Sequence, residues 1–344
     1  MNAEIGVLLV QDAVINGSIY ALLALSLILM FTVTRIIFVP QGEFVSYGAL
    51  TFAAFQSGSL PGSIYVLIGF GIIAAAYELG ASLRSSQRPN VASLVLFLLY
   101  PVCLWLLVRA LDLRSFGFLG QVALTFAVLV PLGPMIYRIV FQPLSDAKVL
   151  VLLIAAVSVH LVVVGLGLLA FGPEGSRTTP VSEVSFTVGP MTISAQSLLV
   201  VASSICVMLL FGWIFSSTLL GKSLRATAVN RVGARIVGIK PERAGWICSI
   251  VAAIVGVASG ILISPLTTIY YDSGFIIGLK GFVAAMIGGL TSYTLAAGGA
   301  LFIGLVESFS SFWYSAYRDV IVFMMLIPVL LIRSLTSHVE EEER

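Results

Sequence analysis

Five ionisable residues stand inside or at the edge of otherwise apolar stretches: Asp12, Glu43, Glu78, Lys280 and Glu307. A charge at the centre of a bilayer costs at least about 2.5–3.5 kcal/mol, so such groups line pathways, relay protons or pair with one another. Glu43 follows Pro40-Gln41-Gly42, where a proline without an N–H and a glycine start or break a helix. The helix dipole favours a carboxylate in a first turn, so Glu43 reads either as a capping acid at the inner interface or as a pathway group. Lys280 lies in Gly278-Leu279-Lys280-Gly281, after Asp272-Ser273-Gly274. It can attract a carboxylate, or it can pair with Glu307 or Asp272. Glu307 follows Gly298, Gly299 and Gly304, which let a helix face approach a neighbour, and it reads as a buried pairing group. Glu78 is placed to snorkel or to pair with Arg84. His160, beside Ser158, reads as a helix–helix hydrogen-bonding residue. Gln41, Glu43, Tyr47 and Lys280 are the candidate polar points of a mostly apolar passage.

No other chemistry stands out. Cys103, Cys206 and Cys248 lie in apolar stretches without a CxxC or Cys/His cluster, so they read as packing residues rather than metal ligands or a disulfide framework. Leu219-Leu220-Gly221-Lys222-Ser223 ends like a phosphate-binding loop but has Ser216 where the first glycine belongs, so the chain is not expected to bind ATP.

The elements that must position these residues are membrane helices. Of the 344 residues 59% are hydrophobic and 10% charged, against roughly 25% charged in soluble domains; mean hydropathy is +1.09. Apolar runs occur at about 7–31, 43–56, 63–80, 91–108, 118–137, 149–171, 195–215, 245–264, 275–292, 295–312 and 318–333. The expectation is an all-α polytopic membrane protein of about eleven transmembrane segments, some interrupted, forming one domain over 1–344. The N-terminus carries no basic residue before the first run, so that run is expected to stay as a helix and not to be cleaved as a signal. With the N-terminus outside and the C-terminus inside, thirteen of the 18 basic residues fall inside and four (Arg109, Arg114, Arg177 and Arg318) outside, with Lys280 in a span. The excess of Lys and Arg in cytoplasmic loops selects that orientation. In it, the break at 40–43 is entered from inside and that at 274–281 from outside, the opposed arrangement of an inverted pair.

Two loops are long. Residues 172–195 form an outer, periplasmic segment in which the alternation from Val181 to Val188 suggests a short hairpin. Residues 216–244 form an inner segment with six basic residues and one acid, Glu242. Leu224–Asn230 is expected as one short helix and Gly233–Ile239 as a second, closed by Gly238 and Pro241. Such helices suit a soluble docking partner, and a basic loop held by anionic lipid is the alternative that spacing leaves open. Residues 334–344, with Glu340–Glu343, read as a solvated cytoplasmic tail.

Several segments, taken together, resemble a known family. Gly221-Lys222-Ser223-Leu224-Arg225-Ala226, followed by Ala234 through Gly238-Ile239-Lys240, is similar to the coupling loop of permeases of the branched-chain amino acid type. Ala252–Leu262, the glycine-rich 278–290, Gly298–Glu307 and Tyr317-Arg318-Asp319 continue the likeness in order. Asn16–Leu22, Thr34–Phe38 and Gly42-Glu43-Phe44 carry it into the N-terminal half. The resemblance implies the permease subunit of an ABC importer in a bacterial inner membrane. Its expected partners are two cytoplasmic ATPase subunits, a second permease (another chain or a second copy) and a periplasmic substrate-binding protein, with no nucleic acid. ATP and magnesium would sit on the ATPases, this chain holding no cofactor and being no enzyme itself. Arg225, Ala226, Asn230, Ala234, Arg235 and Gly238 become the ATPase-coupling candidates. Leucine, isoleucine and valine are the usual substrates, with related small carboxylates and amides beside them. An ion-coupled secondary transporter, and permeases for urea, aromatic acids, sugars or nucleosides, are the rival readings.

Overall fold

A computed structural model describes residues 3–85, 91–113, 116–188 and 191–331. Helices α1 (Ala3–Thr34), α2 (Gln41–Ser57), α3 (Ser63–Ser85), α4 (Val91–Ala110) and α5 (Phe118–Leu129) lead into α6 (Leu132–Ile136) and a π-turn at Tyr137–Phe141. Helix α7 (Val149–Phe171), strands β1 (Ser185–Val188) and β2 (Met191–Ser194), and α8 (Ala195–Ser217) follow. Then come α9 (Leu219–Val229), α10 (Arg231–Ile236), α11 (Pro241–Ile263), α12 (Ser273–Ile287), α13 (Tyr293–Trp313) and α14 (Arg318–Met324).

Among the described residues, eight helical stretches are long and apolar enough to cross a membrane. They are α1, α3, α4, the continuous 118–141 stretch, α7, α8, α11 and α13. The other three apolar runs of the sequence become the shorter α2, α12 and α14, and residues 332–333 and the tail 334–344 lie outside the described residues. At 32 residues, α1 is about 48 Å long, more than a hydrocarbon core of about 30 Å requires, which a tilt accommodates. The 118–141 span is interrupted by Pro131 and Pro134; the latter lies inside α6, and the Gln142 N–H reaches back five residues to Tyr137 at 2.8 Å. Such π-turns form where a helix must absorb a defect.

Helices α1, α2 and α11 form the centre, with α12 and α13 closing over α1. Hydrocarbon supplies no hydrophobic force between helices, so close packing of small residues does the joining. Ala13 and Gly17 of α1 meet Ala300 and Gly304 of α13. A Cβ on Gly304 would lie 2.3 Å from the Ala13 carbonyl oxygen. Gly260 of α11 approaches the Val45 carbonyl oxygen of α2 as closely, at 2.2 Å. The two breaks expected from the sequence lie against each other: a Cβ on Gly42 would stand 2.4 Å from the Gly274 carbonyl oxygen. The chain between α1 and α2 turns on Arg35, whose φ is +62°.

Outside the bundle, the hairpin sits at 185–194, later than the alternation at 181–188 suggested, with Phe186 opposite Ile193. The 172–195 segment is stitched onto the bundle by a Ser176–Ile269 bridge, by Thr178 to Ser264 at 2.7 Å and by Arg177 to the Pro265 carbonyl at 2.9 Å. Cys248 is buried, whereas Cys103 and Cys206 face outward from α4 and α8 rather than packing inside.

Gly304→Val forces α1 and α13 apart, and overpacking of this kind costs about 1–3 kcal/mol or more. Gly298→Ala, which points into open space, serves as the control. Size-exclusion profiles of detergent-extracted protein are expected to show a sharply reduced monodisperse peak for Gly304→Val and an unchanged one for Gly298→Ala.

Candidate functional site

The buried charges sort into three groups. The first surrounds Lys280, which is 3% exposed on α12. Its Nζ lies 2.6 Å from Oε1 of Glu307 on α13 and 2.9 Å from Oδ1 of Asp319 on α14. Tyr20 of α1 donates its hydroxyl to the other Glu307 oxygen, and Arg318 stands 3.7 Å from Glu307 and 3.4 Å from Asp319. Four helices thus contribute one ionic cluster. Glu307 was an expected partner. Asp319 was not, and Asp272, the alternative, stands at the N-cap position of α12 with no capping bond from its side chain and no ion pair with the lysine.

The cluster forms one wall of a cavity of about 520 Å³. Asp12 and Asn16 of α1, Tyr270 of the α11–α12 connection and Ile276 of α12 also line it. The cavity opens toward the end of the bundle covered by the 172–195 segment, where Gln11 donates to the Thr192 carbonyl at 3.2 Å. Charged groups beside an aqueous recess keep part of their hydration, so ions and a polar solute can share space here.

The second group joins α2 to its neighbours. Glu43 is 1% exposed, and its Oε1 lies 2.8 Å from His160 Nδ1 on α7. The His160 ring stacks on Phe275 of α12 with centroids 4.1 Å apart. Gln41 donates to Ser26 and to the Leu23 carbonyl of α1, and Tyr47 donates to the Val163 carbonyl of α7 at 2.7 Å. Ser46 accepts from the Gly274 N–H at 2.6 Å, satisfying one of the orphan donors that every helix start leaves. Around Glu43, Tyr47 and Val163 only about 10 Å³ is open, no more than about one water needs. Gln41, Glu43 and Tyr47 therefore act in this conformation as ties between helices, while Lys280 alone of the four pathway candidates borders a cavity. Glu43 stands in the first turn of α2, as the dipole argument expects, and is there buried with a histidine partner. Glu78 pairs with Arg138 of the π-turn at 2.6 Å; the side chain of Arg84, its expected partner, lies outside the described residues.

The third group is the loop after α8. Thr218 and Asn230 cap α9 and α10, accepting from the N–H groups of Gly221 at 3.1 Å and Gly233 at 2.9 Å. Asn230 is therefore a boundary and not the end of a helix, and α9 begins five residues earlier than expected, at Leu219. Gly238 takes φ +86° and releases the chain toward Pro241, the first residue of α11. Arg225, Arg235 and Asn230 are exposed, Ala226 is half-buried, and Ala234 is buried against the bundle. Sequence reasoning missed the apolar residues between them: Val229, Val232, Ile236 and Val237 are 87%, 67%, 81% and 73% exposed. Gly221 packs against the Ile214 carbonyl, where a Cβ would lie at 2.3 Å, so it serves helix packing rather than a phosphate cradle.

Removing one member of a buried ion pair leaves the other charge stranded, at a cost of about 3–5 kcal/mol. Lys280→Met is expected to lower the thermal stability of the detergent-solubilised chain sharply, and adding Glu307→Gln is expected to restore most of it. A double variant as unstable as the single one would show that Glu307 is not the principal counter-charge.

With this geometry in hand, known proteins were compared. The family described as "Branched-chain amino acid transport system / permease component" matches residues 9–330. The high-affinity branched-chain amino acid transport system permease protein LivH of Salmonella typhimurium is 25% identical, over 93% of this chain and 91% of its own length. LivH of Escherichia coli K12 is 26% identical over 80% of this chain and 91% of its own length. BraD of Pseudomonas aeruginosa is 26% identical over 80% and 92%. A match spanning the central helices, the ionic cluster and the exposed loop helices leaves no large part of the chain outside it: the chain belongs to the family of permease components of branched-chain amino acid transport systems.

Proposed function

We propose that this chain is the membrane permease subunit of an ATP-driven importer for branched-chain and other hydrophobic amino acids in a bacterial inner membrane. Family membership supports the transport role, and the relatives named above carry that substrate class in their names. In this reading α2, α12 and α14 complete eleven segments, with the N-terminus outside and the C-terminus inside. The partners are two cytoplasmic ATPases that hold ATP and magnesium, a second permease and a periplasmic binding protein. The wider range of small carboxylates and amides belongs to the same proposal.

The observation that carries the coupling assignment is the row of exposed valines and isoleucine on α9 and α10. A basic segment held only by lipid headgroups needs arginines and lysines, whereas protruding branched side chains rimmed by polar residues form an apolar patch of the kind that marks an interaction site. Arg225, Asn230 and Arg235 flank these anchors, Ala226 and Ala234 hold the two helices down, and Gly238 sets the angle of exit. The cavity at Lys280 is proposed as the outer part of the passage. Gln41, Glu43 and Tyr47 bear on it by fixing α2 against α1, α7 and α12. ATP-driven closure of the partner subunits would move α9 and α10 and tilt the bundle between outward-open and inward-open states.

Val232→Asp with Ile236→Asp is expected to leave the chain folded and in the membrane while the ATPase subunits no longer copurify and uptake falls to background. Undiminished ATPase recovery and uptake would remove the docking assignment. For orientation, a cysteine placed at Glu174 in a chain freed of its three cysteines is expected to react with an impermeant maleimide on intact spheroplasts. Reaction only after permeabilisation would invert the topology.

A further inference from the structure

A second recess lies away from the central helices, between α4, the 118–141 span and α11. Its upper part is a groove of about 220 Å³ walled by Leu96, Phe97, Pro131, Pro134, Met135 and Trp246, with almost no polar atom on its surface. Pro131 and Pro134 interrupt the helix on one wall. Its lower part, about 330 Å³, shares Leu96, Phe97 and Trp246 with the first and is lined by Arg138, Gln142 and Arg243 together with Glu78 and Glu242. One continuous recess therefore runs from an apolar channel to a charged mouth. The mouth lies at the α10–α11 end of the bundle, where a membrane has its headgroups.

The charges at the mouth decide what fits. Arg138 pairs with Glu78 at 2.6 Å, and Arg235 outside the recess pairs with Glu242 at 3.1 Å. Arg243 is exposed and makes no ion pair with the described residues. Both acids are thus compensated, and one arginine is left over. A ligand of net charge −1 with an apolar chain completes the balance, whereas a zwitterionic one brings its own cation to a mouth that already holds an excess arginine. Basic recesses between membrane helices bind anionic headgroups by this complementarity, and an empty groove would forfeit the dispersion contacts of its walls. We propose that this recess is a binding site for one anionic phospholipid, its acyl chain against Phe97, Pro131, Pro134 and Trp246 and its phosphate on Arg243, with Gln142 beside the headgroup. The site is separate from the proposed passage and meets the α9–α10 loop only through the Arg235–Glu242 pair, and its test does not depend on the import reading.

Trp246 lies on both parts of the recess and reports its occupant directly. The chain with Trp105, Trp213 and Trp313 changed to phenylalanine is placed in mixed vesicles of phosphatidylglycerol and phosphatidylcholine, with one or the other brominated on its acyl chains. Brominated phosphatidylglycerol is expected to quench Trp246 with an apparent affinity about fivefold above that of brominated phosphatidylcholine, the contribution of one arginine to anionic-lipid binding. Arg243→Gln is expected to remove that preference. Equal quenching by both lipids, or a preference that survives Arg243→Gln, would overturn the proposal and make the recess ordinary lipid-facing surface. Native mass spectrometry of the wild-type chain gives an answer that needs no tryptophan change. A phosphatidylglycerol adduct retained by the wild type and reduced by Arg243→Gln supports the site, and no adduct, or one unaffected by the substitution, argues against it.

Discussion

A lysine can be buried between membrane helices only if other helices bring carboxylates to it. At Lys280 this requirement fixes four elements at once. Glu307 must come from α13 and Asp319 from the start of α14, and Tyr20 of α1 must supply a hydroxyl to the same carboxylate. The close packing of Ala13 and Gly17 against Ala300 and Gly304 serves the same end, because it brings α13 near enough to α1 for Tyr20 to reach Glu307. Small residues and charges therefore act together: the first permit the approach, the second penalise any other arrangement.

The same logic operates at α2 with weaker charges. Its first two turns are buried on every face, so each polar side chain there needs a partner on a different helix. Gln41 finds α1, Glu43 and Tyr47 find α7, and Ser46 finds the N-terminus of α12. Gly42 and Gly274 bring α2 and α12 close enough for Ser46 to span the gap, and Gly256 and Gly260 pack α11 against α2. Helix α2 is thus cross-linked to α1, α7 and α12 over its first two turns. Motion in such a bundle concentrates where cross-links are few. In this chain that points away from α2 and toward the outer helices α8 and α4, whose surfaces are largely exposed.

Much of this was legible in the sequence, and the misses have physical causes. Apolar runs located all eight stretches that are long enough to cross a membrane among the described residues, because the bilayer imposes their length. The breaks before α2 and α12 were visible as Pro40-Gln41-Gly42 and Asp272-Ser273-Gly274. Lys280 and Glu307 could be matched because intramembrane charges are so few. Asp319 was overlooked because it begins a run, where an acid usually meets water. For Glu78 the sequence offered Arg84, whose side chain lies outside the described residues; among those described, Arg138 reaches Glu78 from the π-turn, a partner sixty residues away that no local spacing announces. Asn230 carried a readable signal, since an asparagine whose side chain accepts from the third N–H onward opens a helix. The exposed valines of α9 and α10 were hidden by their type, because Val229, Val232 and Ile236 look like ordinary core residues until the packing of α9 shows Leu224 and Thr227 facing inward.

The structure also separates two uses of charge that composition alone merges. Of the seven contacts between acidic and basic side chains among the described residues, four tie Lys280 or Arg318 to Glu307 or Asp319 beside the outer cavity, and these share two carboxylates between two cations. A shared carboxylate can exchange one cation for another with little change in total charge, so the cluster can loosen at one helix while remaining neutral. Glu43 with His160, and Glu78 with Arg138, are isolated pairs in which separation strands both members. Shared pairs suit a place where helices rearrange, and isolated pairs suit a place where they hold. This difference, rather than the mere presence of charge in the membrane, is the physical ground for placing the proposed passage at Lys280 and the fixed frame at α2.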